Sequence, residues 1–267
     1  MIFQEPLPIE ANERFRDESI RYSICTIVTR LNEYGAMIES FRFGGFREPN
    51  CEFLYLDNSQ GNVFDSYTGY NLFLNVARGE YIILCHQDVQ LIEDGRAKLD
   101  AVIGDLTNRD PNWAVCGNGG AEYPGRLALR ISDPHGENQS VGEFPLKVQS
   151  LDENFIVARR SANLALSHNI GGFHFYGADI CVIADILGWN CYVVDFHLRH
   201  KSSGKRDDSF FSIRERLIQK YHKAMRSRWI GTTSSVFFIS GVSLLSRLLN
   251  SSLPSKLARF IGRKFPR

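Results

Sequence analysis

His86-Gln87-Asp88 sets an imidazole and a carboxylate two residues apart, directly after the apolar run Tyr81-Ile82-Ile83-Leu84-Cys85. An uncharged run of that length is the pattern of a strand buried on both faces of a parallel sheet. In an open α/β sheet, ligands gather outside the carboxyl ends of the strands. Nitrogen and oxygen donors at such a strand end can hold a divalent cation and the phosphates it bridges. The same acid can equally be a turn residue that caps the next helix. The tripeptide by itself does not choose between the two.

The elements that must position it are legible on both sides. Ser23–Thr29 is rich in β-branched residues and reads as a first strand. A helix is expected over Asn32–Phe43, closed by Gly44-Gly45, and a second strand over Phe53–Leu56, ending in Asp57-Asn58-Ser59. Strands joined by helical crossovers and ending in polar residues form a nucleotide-binding β-α-β unit. Neither a Gly-x-Gly-x-x-Gly turn nor a Walker-type lysine loop follows the first strand, which argues against dinucleotide oxidoreductases and P-loop enzymes. Leu99, Val102, Ile103 and Leu106 share one helix face, and Trp113–Gly117 is a further strand. From Asn118 to Ser150 the pattern turns to Gly, Pro and polar residues, expected to form short hairpins, with His135 a solvated loop residue. Leu151–Arg160 is a strand entered through Asp152, and Ile180, Ile183, Ala184 and Leu187 lie at helical spacing behind Asp179. Trp189–Val194 returns as a strand before His197 and His200.

The run Asn71-(x)7-Gly79-Glu80-Tyr81-(x)3-Cys85-His86-Gln87-Asp88 resembles the centre of family 2 glycosyltransferases with the GT-A fold. There an Asn opens a helix ending in Ala-x-Gly-Glu-Tyr, here Ala77-Arg78-Gly79-Glu80-Tyr81, and an apolar strand leads into an Asp-x-Asp signature. His86 stands where the first acid of that signature would be; Asp88 keeps the second, as in a bacterial His-Gln-Asp subgroup. The resemblance covers roughly Ser23 to Gly204. It implies a mixed, mainly parallel sheet between helices, with Thr29, Asp57 and Asn58 at the base and ribose of a sugar nucleotide. It further implies Asp88 and His200 as metal ligands, with His197 the alternative to His200. His86 is then a third ligand or a partner of the ribose or diphosphate. Asp152 lines the sugar or acceptor pocket, and Asp179 is the general base, with Ala178 in place of the family's usual Glu. Read without the resemblance, Thr29, Asp57, Asn58 and Asp179 are helix caps, Asp152 a strand-entry turn and His200 a packing residue.

The charge is unevenly divided. Over the first 215 residues there are 20 Lys and Arg against 30 Asp and Glu; after Glu215 there are 11 basic residues and no acid. The six cysteines form no Cys-x-x-Cys pair and most lie in apolar runs, which favours a reducing compartment. Met1-Ile2-Phe3-Gln4-Glu5-Pro6 has neither a basic region nor a long apolar core, so no signal peptide is expected. Three segments follow: a polar lead-in over 1–22, helical from Glu10 to Ser19; a catalytic domain over 23–205; and a basic tail over 206–267. In the tail, Phe238, Val242, Leu245 and Leu249 suggest one amphipathic helix and Leu253, Leu257, Phe260 and Ile261 another, broken near Pro254.

The function expected is a metal-dependent (Mn²⁺ or Mg²⁺), inverting transfer of sugar from a nucleotide-sugar donor to a glycan or lipid-linked acceptor, in bacterial surface-polysaccharide synthesis. The rivals are an inactive sugar-nucleotide-binding subunit, motivated by His86, and a nucleotidyltransferase, which would need a basic triphosphate loop. A cytoplasmic enzyme is expected, held on the anionic inner face of the cell membrane by the tail. Packing of the tail on protein is the alternative. No nucleic-acid partner is expected, since basic residues lack aromatic interleaving.

Overall fold

The computed structural model describes residues 20–204 and 207–264. The helix expected over Glu10–Ser19 lies outside the described residues. The chain divides into two compact units, Met1–Ile213 and Arg214–Arg267.

The first unit begins with β1 (Tyr22–Val28), α1 (Leu31–Phe43) and β2 (Cys51–Asp57), in which β1 and β2 pair in parallel. It continues with α2 (Ser66–Val76), β3 (Tyr81–Cys85), β4 (Val89–Leu91), α3 (Arg96–Arg109) and β5 (Trp113–Gly117). The Gly- and Pro-rich stretch forms β6 (Gly119–Tyr123), β7 (Arg126–Asp133), β8 (Gly136–Val141), β9 (Leu146–Lys147) and β10 (Ser150–Leu151). Then come β11 (Phe155–Arg159), α4 (Tyr176–Ile186), β12 (Asn190–Val193) and β13 (Leu198–His200), and α5 (Asp208–Ala224) crosses into the second unit.

Seven strands make the main sheet in the order β2-β1-β3-β11-β5-β12-β9. β1, β2, β3, β5 and β12 run one way, while β11 and β9 run against them. β3 is an interior strand, between β1 and β11, and every one of its residues is buried. Ile83 and Cys85 share a core with Met37 and Phe41 of α1 and Leu99, Ile103 and Leu106 of α3. Ile82 and Leu84 alternate to the opposite face, and α2 and α4 contact the sheet. Burying an aliphatic side chain of this size stabilises by roughly 1.5–3 kcal/mol, so the two-sided core accounts for the uncharged run. A second sheet, β10-β6-β7-β13-β4 with β8 beside β7, is built mostly from the hairpin stretch. It matters because it carries β13 against β4.

The Ala77–Tyr81 motif is structural. Arg78 reaches Glu52 through two nitrogens at 2.9 and 2.7 Å, and Glu80 meets Arg21 at 3.0 Å. Gly79 donates its N–H to Ser23 Oγ at 2.8 Å, and a Cβ on it would lie 2.6 Å from the Ser23 nitrogen. Only glycine lets the chain enter β3 pressed this closely to β1. Asn71, by contrast, does not open the helix. Asp65 does, accepting from the Thr68 N–H at 2.7 Å. Asn71 sits mid-helix and binds both the N–H and the carbonyl of Leu166, at 2.7 and 3.0 Å.

In the second unit β14 (Arg228–Gly231) and β15 (Val236–Ile239) form an antiparallel hairpin, followed by α6 (Ser243–Leu249) and α7 (Ser252–Lys264). The helix expected through Phe238 is therefore corrected: Phe238 lies on a strand opposite Trp229, with ring centroids 5.3 Å apart. Val236-Phe237-Phe238-Ile239 is β-branched and aromatic, a composition that suits a paired strand better than a helix. No described helix is long and apolar enough to cross a membrane.

Gly79→Ala is expected to destabilise the first unit by about 1–3 kcal/mol, the usual cost of overpacking. A chemical denaturation curve with a lower midpoint and unchanged slope would show it.

Candidate metal centre and donor site

β3 ends at Cys85, and the next three residues are held from three directions. The His86 N–H donates to the Asn154 carbonyl at 3.0 Å. Gln87 turns back to the end of β1: its Oε1 accepts from the Thr29 and Arg30 N–H groups, and its Nε2 donates to Thr29 Oγ1, all at 2.8 Å. The Asp88 carbonyl accepts from the Lys201 N–H at 3.2 Å, where β13 lies antiparallel to β4 with His200 opposite Val89. Strand pairing in the second sheet thus brings His200 to Asp88 across more than a hundred residues.

The side chains converge. His200 Nε2 lies 3.3 Å from Asp88 Oδ1, 3.3 Å from His86 Nδ1 and 3.1 Å from Ser202 Oγ. The Asp88 and His200 side chains are 8% and 12% exposed. One donor atom from each of His86, Asp88 and His200 falls within 4.8 Å of the others. Neighbouring ligands of an octahedral cation at about 2.1 Å stand about 3 Å apart, so the trio fits a divalent ion with little movement. Imidazole suits zinc or iron and carboxylate suits magnesium or manganese, so this mixed donor set fits a divalent cation without selecting one.

The protonation states agree with that use. Tyr176 Oη gives its proton to the Glu153 carbonyl at 2.7 Å, because a carbonyl can only accept. The phenol oxygen must therefore accept from His86 Nε2–H, 2.7 Å away. Neutral His86 then keeps its bare Nδ1 lone pair toward His200 and Asp88. Burial, followed by the neighbouring His200, lowers the His86 pKa to about 4. For Asp88, burial alone would raise the pKa, but hydrogen bonding and charge from His200, with His86 behind, hold it well below the usual carboxylate range.

The remaining expected residues divide. Thr29 is exposed beside the centre through Gln87. Asp57, also exposed, follows the register of β1 and β2 opposite Val28; hydrogen bonds from Ser59 lower its pKa. Asn58 is buried, with Oδ1 accepting from the Val63 and Phe64 N–H groups and Nδ2 donating to the Phe64 carbonyl. Its side chain holds its own loop. Asp152 is exposed, its Oδ1 fixed by the Asn154 N–H at 3.0 Å and by the Asn154 amide. Its charge is felt at His86. His197 is bound to Ser132 Oγ at 2.9 Å and stands outside the trio.

Asp179 differs most from expectation. It has no exposed surface, and Ser167 holds it through N–H at 2.7 Å and Oγ at 2.5 Å. In this arrangement it offers no surface to an acceptor hydroxyl. It anchors α4 to the segment that Asn71 also grips, because the first turn of α4 faces the core.

Sequence reasoning missed Gln87, Tyr176 and Glu153. Glu153 lies by the start of α4, where the Gly177, Tyr176 and Phe175 amides favour its charged form and Phe175 at the N-cap has no side-chain cap of its own. A Cβ on Gly177 would lie 2.3 Å from the Leu151 carbonyl and 3.3 Å from Glu153 Cγ, so the glycine makes room for the Glu153 side chain. Burial, then Asp152, push the Glu153 pKa up to about 8 despite those amides. Only the adjacency of two acids in Asp152-Glu153 could have hinted at it.

The GT-A fold is shared with TarS 1–349 of S. aureus (TM-score 0.51, 10% identity, 76% of this chain and 66% of that one). The same protein in complex with UDP-GlcNAc matches at TM-score 0.51 and 8% identity, over 76% and 67%. GalNAc-T7 with UDP, GalNAc and Mn²⁺ matches at TM-score 0.52 and 8% identity, over 76% of this chain and 48% of that one. The chain therefore spans about two thirds of the TarS structure and about half of the GalNAc-T7 structure. No protein-family model matches. A protein of Fuscovulum blasticum named "ATP synthase subunits region ORF 6" is 36% identical over 223 residues, 81% of this chain and 90% of that protein. The chain belongs to the same family as that protein.

Because the folded-state pKa of Glu153 lies above its ordinary value, the neutral acid is favoured by folding. The stability it contributes is full below about pH 4.5 and is lost as pH rises through about 8. Thermal midpoints should therefore fall between about pH 4.5 and about 8, the ordinary and folded-state values, in the native protein, and less steeply in Glu153→Gln.

Proposed function

We propose that this protein is an inverting, metal-dependent glycosyltransferase that takes a nucleotide-sugar donor and serves bacterial surface-polysaccharide synthesis. The observation that carries the reading is the convergence of His86, Asp88 and His200 at the carboxyl end of the fully buried strand β3 of a GT-A fold. TarS with UDP-GlcNAc and GalNAc-T7 with UDP, GalNAc and Mn²⁺ share that fold, which supports a nucleotide-sugar partner and a cation such as Mn²⁺ or Mg²⁺. A cation held by the trio would neutralise the donor diphosphate and ease its departure.

The chain's own groups then take these parts. Asp88 and His200 are the principal ligands; His86 is the third, oriented by Tyr176. Thr29 and Asp57, exposed at the ends of β1 and β2, meet the nucleoside. A glycan or lipid-linked hydroxyl attacks the anomeric carbon as the bond to the diphosphate breaks, and a carboxylate accepts the hydroxyl proton. We assign that carboxylate to Asp152, which keeps exposed surface, acts on His86 through its charge and has one oxygen fixed by Asn154. Asp179, the expectation from the sequence, is enclosed by Ser167. That enclosure also favours the second reading, an inactive sugar-nucleotide-binding subunit.

A thermal-shift panel of sugar nucleotides with Mn²⁺ identifies the donor, since a ligand of the folded state raises its apparent stability. Asp88→Ala should abolish the Mn²⁺-dependent shift. Asp152→Asn should keep it and slow transfer by about 10²–10⁴-fold, the range for a lost general base. If Asp152→Asn transfers normally while a folded Asp179→Asn does not, the base is Asp179. A donor-dependent shift with no transfer to any acceptor leaves the binding subunit.

A further inference from the structure

Between Arg214 and Ile261 the second unit contains no buried residue. Its hairpin has two strands of four residues each, and the two helices that follow the hairpin have 7 and 13 residues. A lone two-stranded hairpin and helices this short are marginal in water without an apolar surface to cover them. Yet their apolar side chains face outward. Leu253 is 78% exposed, Leu257 59% and Phe260 54%, at spacings of four and three that place them on one face of α7. On α6, Leu244 and Leu248 are 64% and 58% exposed.

The charge around this surface has one sign. Beyond Glu215 the chain carries eleven Lys and Arg and no Asp or Glu. Lys256 and Arg259 flank the apolar face of α7, and Arg247 lies on α6. A second copy of the chain would bring the same positive charge against itself, which opposes self-association through this face. Length excludes a span: 13 helical residues rise about 20 Å against a hydrocarbon core of about 30 Å. An apolar face with a basic rim and no acid is complementary to the boundary between anionic headgroups and acyl chains.

We propose that the unit Arg214–Arg267 docks the protein on the surface of an anionic lipid bilayer, α6 and α7 lying in its plane. Leu244, Leu248, Leu253, Leu257 and Phe260 enter the headgroup boundary, and the basic side chains meet lipid phosphates. The inference rests on the second unit alone and holds whichever reaction the first unit performs.

The test floats the full-length protein with vesicles of phosphatidylglycerol and phosphatidylcholine in equal parts, and with vesicles of phosphatidylcholine alone. Binding to the anionic vesicles should exceed binding to the neutral ones by about tenfold or more, and fall steeply as salt shortens the Debye length from about 10 Å to about 3 Å. A triple variant, Leu253→Ser, Leu257→Ser and Phe260→Ser, should lose about tenfold or more while keeping the circular dichroism and thermal midpoint of the native protein. If that variant is misfolded, Arg247→Gln, Lys256→Gln and Arg259→Gln decides, and should lose the preference for anionic vesicles. Equal binding to both vesicle types, no binding, or full binding by a folded triple variant overturns the proposal. So does a dimer in light scattering that the triple variant abolishes, which would make the occupant a second copy.

Discussion

A strand with no exposed residue can end only where the first polar groups after it find partners. β3 is such a strand, and its end determines the site. Gln87 gives its whole amide to the end of β1, the His86 amide goes to Asn154 and the Asp88 carbonyl to Lys201. With each anchor drawn from a different part of the chain, the His86 and Asp88 side chains are left with little freedom. Buried polar groups that are fully bonded are rigid, because breaking any of these contacts strands a desolvated partner.

The same accounting explains why the two sheets are joined where they are. His200 reaches Asp88 because β13 pairs with β4 in the second sheet, while β3, a few residues away, belongs to the first. The site sits on the seam. Each ligand thus rides on a strand end rather than on a free loop, the placement that holds donor atoms most closely to a productive geometry. Tyr176 and Glu153 add an outer layer: one sets the tautomer of His86, and the backbone carbonyl of the other accepts the Tyr176 hydroxyl proton.

The two units obey different physics. The first has a core on both faces of its sheet and an excess of acids; the second has no buried residue through Ile261 and an excess of bases. Within the second, α7 and β15 are in contact, but Trp229 and Phe237 remain 36% and 40% exposed. Its apolar surface is not used up by its own folding.

From the residues alone, periodicity and composition determined the alternation of strands and helices in the first unit, because two-sided burial leaves uncharged runs such as Tyr81–Cys85 and one-sided burial leaves stripes such as Leu99, Ile103 and Leu106. The resemblance to family 2 glycosyltransferases pointed to Asp88 and His200, which the fold brings together. What only the tertiary structure decided depends on contacts between segments far apart in the chain. Asn71 reads as a helix start but binds Leu166 from mid-helix, since its partner lies 95 residues away. Phe238 fits a helical spacing until Trp229 across the hairpin claims it. Asp179 has the composition of a base, but the face of α4 it occupies turns inward to Ser167, and burial is a property of packing that no local pattern carries.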